Sequence, residues 1–377
     1  MKPTIATVVP VLSVGSYEET VSHYVEWLGF EVNWEYREEQ LPFVISISRD
    51  GFSFMLAELD STSEPETSTG SWTVIYVSDI EAISEEFNAR RSGRFCGLKE
   101  VQLLLKKILP EAKSEAWALE EGERFEAKEI ALRITAPYSP FGLYETTICG
   151  TLASCSGWAT AARECVDAAT TIPVIAFAAR HVHPDVSSAI DYASIVGGCV
   201  SCSTILGARK AGVTPSGSMP HALPLIFGDT VSAMQAFERH MPQEIPRVAL
   251  VDTFKDEAEE ALNVAGALKE RLRAIRLDTA EERGGVSPSM VKEIRTRLDK
   301  AGYKHVEIIV SGGLTPEKIK GFVEVSAPVD RFLVGSYISS ASPNDFTADI
   351  REIDGNEIAK RGRTPGITDN PRLNHIM

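Results

Sequence analysis

Six stretches between Val174 and Ile338 end in residues able to handle an anion or a sugar. VIAFAAR carries Phe177 and Arg180, and VTPSGSMPH closes on His221. VALVDTF supplies Asp252, AIRLDT supplies Arg276 and Asp278, VEIIVSGGL supplies Ser311, Gly312 and Gly313, and FLVGSYI supplies Gly335 and Ser336. An Arg beside an aromatic ring suits a flat anionic ligand, because the guanidinium can fork onto a carboxylate or phosphate while the ring stacks. A salt-bridged surface Arg is the plainer reading of Arg180. A carboxylate that ends an apolar run must meet a cation, a hydroxyl or solvent to be tolerated there. Arg276 and Asp278, two apart on a strand, are expected on one face, either as a simple ion pair or as ligand-binding groups. The Gly-Gly turn and the Gly-Ser turn let backbone N–H groups approach phosphate oxygens. Spacing alone leaves His221 open between a helix-start residue and a nucleophile or proton carrier.

Positioning such residues requires strands that deliver them to one end. The apolar, β-branched runs alternate with helix-like segments, which predicts a parallel sheet or α/β barrel whose chemistry sits at the strand C-termini. The chain of 377 residues is 44% hydrophobic and 24% charged, enough for two or three domains with ample cores. Its formal charge of −15 and pI near 5.1 argue against duplex nucleic acid or an anionic membrane as partner. No run of about 18 apolar residues is present, so no membrane span is expected. The start, MKPTIATVVPVL, reads as a strand and not a secretory signal. The six cysteines lie mostly among small or apolar residues, which points to reduced thiols and a cytoplasmic location. Cys199 and Cys202 form a lone CxxC with no second pair, better read as buried thiols than as a zinc site.

Two styles meet near Gly93. Residues 4–93 read as strand Ile5–Leu12, helix Tyr17–Leu28, strands near Phe30–Tyr36, Phe43–Ser48 and Phe52–Glu58, a polar loop DSTSEPETSTG, strand Trp72–Val77 and helix Ile80–Ala89. Beyond Phe95, LKEVQLLLKKILPEA has helical spacing and WALEEGERFEAKEIALRITAPY alternates like two strands. LYETTICGTLASCSGWATAARECVDAA reads as a long helix whose small residues, among them Ser154, Ser156 and Thr160, serve close packing. The expected organisation is residues 1–93, 94–150 as the main part of a sandwich, 151–340 as the barrel, and 341–377 returning to the sandwich.

The signature Tyr24, Leu28-Gly29-Phe30 and Arg49-Asp50-Gly51, within a βαβββ order, resembles the glyoxalase/bleomycin-resistance (vicinal oxygen chelate) superfamily. The resemblance implies a cupped sheet made of two such modules. Here the second module stops after one strand and one helix, and the first strand lacks a His or Gln where metal-dependent members place a ligand. His23 and Glu58 are the metal candidates, but a lone His beside Tyr24 and Trp27 reads as a packed or exposed helix residue, and no metal is assigned.

From Phe95 to the end, GLKEV, LYETTICGTLA, FAARHVHPDV, TPSGSMPHALPLIFGDT, ALVDTFKDEAEEAL, RLDT, VEIIVSGGLTPEKI and IAKRGR resemble the nicotinate phosphoribosyltransferase family, of the type II phosphoribosyltransferases. The resemblance implies an irregular α/β barrel beside an α/β sandwich, working as a homodimer or higher homo-oligomer with active sites at the subunit interface. It implies transfer of phosphoribose from phosphoribosyl pyrophosphate to nicotinate, with ATP as co-substrate and Mg²⁺ as cofactor, in NAD biosynthesis. By the same resemblance Phe177, Arg180 and Arg276 bind nicotinate, and His221, Asp252 and Asp278 are catalytic, His221 as the residue phosphorylated by ATP. Ser311, Gly312, Gly313, Gly335 and Ser336 form the 5′-phosphate cradle. Family members begin with a further segment whose Tyr-containing strand reaches across the dimer to the base. In this chain the glyoxalase-like module stands there, either substituting for it or leaving the site short of a wall and less active. Two rival readings are a small-molecule binding or resistance protein that uses the N-terminal cup, and a quinolinate phosphoribosyltransferase. The latter would need extra cations for a second carboxylate and would release CO₂.

Overall fold

The computed structural model describes residues 4–14, 16–37, 43–50, 52–58, 72–78 and 82–377. Two compact units divide between Glu81 and Ala82, not near Gly93 as the change of sequence style suggested. In the first, strands run in the order Glu31–Tyr36, Val44–Arg49, Phe52–Glu58, Thr4–Val14, Trp72–Ser78. Thr4–Val14 pairs parallel to Phe52–Glu58 and antiparallel to Trp72–Ser78. Alternation in VISISR turns Ile45 and Ile47 inward, where with Phe43 and Leu56 they pack against Tyr17, Val21, Tyr24, Val25 and Phe30. The expected helix is present as Tyr17–Thr20 continuing into the wider turns of Val21–Trp27. The polar loop DSTSEPETSTG lies outside the described residues.

The expected helix over Ile80–Ala89 is a correction. Ile83–Ala89 is a strand of the second unit, central in a six-stranded sheet ordered Asn356–Glu357, Phe346–Ile353, Ile83–Ala89, Ile130–Ala136, Glu115–Ala118, Asn374–His375. ISEEFNA carries two adjacent glutamates, yet all seven residues are buried in the strand. Glu86 is tolerated because Arg133 holds it at 2.8 Å, Arg351 lies at 3.2 Å and the Thr368 N–H donates to it at 3.0 Å. Helices Leu98–Ile108 and Glu145–Ala169 belong to the same unit, the latter read correctly from its small residues.

Glu85 meets no such cation among the described residues. Burial, reinforced by the Glu145 and Asp349 charges, pushes its carboxyl up to about 8. In the unfolded chain the same carboxyl ionises near its ordinary value, so the unfolded state gives up its proton first. Stability should fall as pH rises from about 4.5 to about 8, by on the order of 3–5 kcal/mol. Glu85→Gln should therefore raise the thermal midpoint by several degrees at pH 8 and change it little at pH 5, as calorimetry at the two pH values would show.

The second sheet is parallel, ordered Ser201–Cys202, Val174–Ala176, Arg331–Val334, Glu307–Val310, Leu272–Leu277, Arg247–Leu250. This is chain order walked around a ring and cut once, between the Ser201 and Arg247 strands, so the sheet curls as a half-barrel without closing. VTPSGSMPH, expected as one of the strands, instead runs irregularly along that cut. Its prolines offer no N–H to a ladder, and only Ser216 N–H to Cys202 O and Ser201 Oγ to Thr214 O tie it to the edge strand. Helices including Pro184–Val196, Glu257–Leu268, Pro288–Lys300 and Pro316–Glu324 connect the strands. On the concave side Ile175, Ala274, Ile309 and Leu333 form a small apolar layer with Phe177 and Val248.

Candidate active site

Above that layer, Arg276 joins three segments. Its side chain is 12% exposed. Nε donates to Ser311 Oγ at 2.9 Å, Nη1 to Ser218 Oγ at 2.8 Å and Nη2 to Asp278 Oδ2 at 2.6 Å. The guanidinium carbon lies 5.6 Å from the centre of the Phe177 ring. Of five guanidinium N–H groups, three are used and two remain for a ligand. The shared face expected from the two-residue spacing is thus a short, charge-assisted bond. Ser311, expected in a phosphate cradle, is 4% exposed, and its hydroxyl donates to Leu277 O at 2.9 Å while accepting from Arg276. It orients the arginine instead. Ser218, which the sequence reading did not single out, does the same from the segment at the cut. Its only signal was a hydroxyl in a Gly- and Pro-rich stretch leading to His221.

Gly312 follows Ser311 at φ +88°, and a Cβ there would stand 3.3 Å from Asp278 Oδ1. The glycine lets the loop close on the carboxylate. Gly313 is also left-handed, with Glu281 and Lys318 at its edge. At Gly335 the constraint is space: a Cβ would lie 2.8 Å from Phe177 O and 3.1 Å from His181 Nε2. Phe177 N–H in turn donates to Val334 O at 2.7 Å, so the aromatic residue and the Gly335-Ser336 loop are one construction. Gly335→Ala must displace the Phe177 backbone and is expected to weaken substrate binding about 10-fold or more with the fold retained, since ångström misplacement of a positioning group carries costs of that order or larger. Saturation kinetics beside a circular-dichroism melt would check it. Ser336 is exposed at the start of Ser336–Ser339. Arg180 sits on the turn Ala179–His181 beyond Phe177, exposed and without an ion-pair partner among the described residues.

His221 caps the start of helix Ala222–Phe227 by position, without a side-chain capping bond. Its Nε2 lies 3.2 Å from Asp252 Oδ1, the imidazole 38% exposed and the carboxylate 3%. The hydrogen bond to Asp252 holds the imidazole pKa above its usual value against the opposing effect of burial, with Asp278 adding to the rise and Arg276 subtracting. The two Asp-bearing strand ends therefore act on one histidine. A cavity of about 670 Å³ is lined by Phe177, Ser216, Ser218 and Arg276, and continues down the concave face past Ile309 to Arg331.

Elsewhere, His23 is an exposed residue between the Tyr24 and Trp27 rings, and Glu58 accepts from Phe43 N–H at 3.4 Å. Among the described residues no group of three or more His, Cys, Asp or Glu side chains is placed to hold a metal ion, and no helix is long and apolar enough to cross a membrane. All six cysteines are free thiols.

Two of the family models that match the chain overlap across the division between Glu81 and Ala82. The family model for the quinolinate phosphoribosyl transferase C-terminal domain matches residues 158–349, that for the N-terminal domain matches 73–156, and a glyoxalase superfamily model matches 4–98. A Mycobacterium tuberculosis nicotinate phosphoribosyltransferase, pncB2, is 32% identical over 227 residues, 59% of this chain and 48% of that protein. A Bacillus subtilis nicotinate phosphoribosyltransferase is 24% identical over 60% of this chain and 46% of its own. The chain thus spans about half the length of these curated relatives. Among solved structures, nicotinate-nucleotide pyrophosphorylase from Pyrococcus furiosus superposes with a TM-score of 0.70 at 42% identity, over 76% of this chain and 74% of that one. Human nicotinic acid phosphoribosyltransferase shares the fold at a TM-score of 0.58 and 17% identity, over 76% and 73%.

Proposed function

We propose, for a chain that belongs to the quinolinate phosphoribosyl transferase family, that it transfers phosphoribose from phosphoribosyl pyrophosphate to nicotinate, releasing nicotinate mononucleotide and pyrophosphate. The observation that carries this reading is Arg276, held by three hydrogen bonds beside the Phe177 ring with two N–H groups to spare. A flat ring with one carboxylate matches that arrangement. Quinolinate brings a second carboxylate, and the cluster balances one Arg and one His against Asp252 and Asp278, with Arg180 the further cation nearby in sequence. The nicotinate relatives support the same choice.

In the reaction the pyridine nitrogen forms a bond to ribose C1 as the C1–O bond to pyrophosphate breaks. Positive charge develops on the ribose, and the carboxylate of Asp278 would stabilise it, while Asp252 stays on His221. The glycine turns at Gly312-Gly313 and Gly335-Ser336 would take the 5′-phosphate on backbone N–H groups. With no protein cage for a metal among the described residues, Mg²⁺ would enter bound to the substrate pyrophosphate, the usual habit of this ion. ATP coupling fits His221. With Nε2–H donating to Asp252, the Nδ1 lone pair is the free nucleophile for the γ-phosphoryl group, and ADP leaves. A homodimer would supply the remaining wall of each pocket, and the product would feed NAD synthesis.

The test is direct. Purified protein given labelled nicotinate, magnesium and phosphoribosyl pyrophosphate should form nicotinate mononucleotide, faster with ATP, whereas quinolinate should give no CO₂. Product no higher than that of a protein-free control would defeat the enzyme reading, a wild-type rate with ATP no higher than that of His221→Ala would remove the coupling role, and turnover of quinolinate in preference to nicotinate would replace the substrate.

A further inference from the structure

Helix Glu257–Leu268 begins with two glutamates on one face, Glu257 and Glu260, which are 2% and 3% exposed. A buried carboxylate must be matched by donors, and here the donors are the loops that carry the two aspartates. Glu260 Oε1 accepts the N–H groups of Phe254 at 2.7 Å and Lys255 at 3.1 Å. Its Oε2 takes Thr253 N–H at 3.3 Å and the Thr230 hydroxyl at 3.2 Å. Three consecutive amides directly after Asp252 thus converge on one side chain. Glu257 Oε1 accepts from the Thr279 hydroxyl at 3.0 Å, one residue after Asp278, and pairs with Arg283 at 3.2 Å. The first helical turn suits both charges, since its free N–H groups and dipole favour anions.

We infer that Glu260 and Glu257 are positioning residues, Glu260 holding the Asp252 loop against His221 and Glu257 holding the Asp278 loop against Arg276, so that one helix start sets the spacing of both acids. This rests on the proposed reaction only for its catalytic consequence; the clamp itself is a statement about the loops. Alternative supports for the Asp252 loop are few: Asp252 bonds to His221, Val251 N–H reaches Arg276 O at a long 3.4 Å, and the Thr253 hydroxyl has no partner. Neutralising Glu260 weakens acceptors for three amides at once, because charge-assisted bonds are roughly twice as strong as neutral ones.

The readout is the titration of His221, followed by NMR in the full-length protein labelled at histidine. In Glu260→Gln the His221 midpoint is expected to fall towards that of a free imidazole as Asp252 drifts away. In Glu257→Gln it should move less than in Glu260→Gln, because Asp278 acts on the imidazole only through space and the Asp252 hydrogen bond is kept. A merely structural role would lower the melting temperature in either variant without moving the titration of the folded molecules. An unchanged His221 midpoint in folded Glu260→Gln overturns the proposal. Should that variant not fold, hydrogen exchange on the wild-type chain decides. The amides of Thr253, Phe254 and Lys255 are expected to be as protected as the adjoining strand, and free exchange there refutes the clamp. Neither measurement requires turnover, so a wild-type protein that makes no nicotinate mononucleotide would defeat the proposed function and leave this inference standing or falling separately. If turnover is present, Glu257→Gln is expected to reduce kcat more than it raises the KM for nicotinate, since Asp278 would be displaced from the developing charge while Phe177 still stacks on the base.

Discussion

Arg276→Lys is expected to lower kcat/KM for nicotinate by about 10²–10⁴-fold, from the loss of two or more charge-assisted hydrogen bonds of roughly 1.5–3 kcal/mol each. The guanidinium does four things from one plane: it bonds Ser311, Ser218 and Asp278, and it stands beside the Phe177 ring. An ammonium is a point charge on a flexible stem and cannot meet three partners fixed in a plane. If Lys keeps the Asp278 contact, Ser218 is released and the segment at the cut of the half-barrel loses an anchor. If it turns to a ligand instead, Asp278 is left as a half-buried, unpaired carboxylate. Either way both binding and chemistry suffer, so KM should rise and kcat fall together. A variant with wild-type kcat and only a raised KM would mean that Arg276 binds the ring without helping to place Asp278. Full activity in Arg276→Lys would remove Arg276 from the site.

This site was legible in the sequence where the chemistry sits on the strand itself. The period of two put Arg276 and Asp278 on one face, and the apolar run before each polar residue marked where a strand ends, so Phe177, Asp252, Gly312 and Gly335 all fall at one end of one sheet. It was illegible where the reason lies in distant chain. Ile83–Ala89 carries two adjacent glutamates and becomes a buried strand only because Ile130–Ala136 and Phe346–Ile353 flank it and Arg133 and Arg351 meet Glu86. Ser311 looked like part of a phosphate turn because its neighbours are glycines, and nothing local told that its hydroxyl would be enclosed between Leu277 and Arg276. Glu257 and Glu260 share an acidic first helical turn with Glu259, and nothing local sets them apart. Their partners, at Thr253, Phe254 and Thr279, become visible only when the loops fold back over the helix start. The N-terminal unit divides the same way: its strands follow from alternation, as at Ile45 and Ile47, whereas its boundary with the next unit was blurred by reading Ile83–Ala89 with the wrong period.

Asp252→Asn is expected to remove most of the ATP stimulation while sparing the ATP-independent rate, a loss of about 10²-fold or more in the coupled reaction, the scale on which a positioned acid–base or nucleophile partner contributes. The imidazole can accept a phosphoryl group only when neutral. Asp252 favours the protonated ring and so holds its pKa above the usual value, and the coupled rate should therefore rise with pH until His221 has lost its proton. An asparagine withdraws that charge, so the rising limb of the pH profile should move to lower pH even as the plateau drops. The two changes have opposite signs at acidic pH, which separates this role from simple damage: a misfolded or loosened site lowers the whole profile and leaves its midpoint alone. The carboxylate also selects the tautomer. With Asp252 accepting from Nε2–H, Nδ1 keeps its lone pair, whereas an asparagine amide can donate to Nε2 and turn the proton to the other nitrogen. His221→Ala should abolish the ATP effect altogether and retain a slower, ATP-independent transfer, because Phe177, Arg276 and the glycine turns do not depend on the imidazole. If that slow transfer disappears with His221, the histidine belongs to phosphoribosyl transfer itself. If ATP still accelerates the Ala variant, the coupling nucleophile lies elsewhere in the chain.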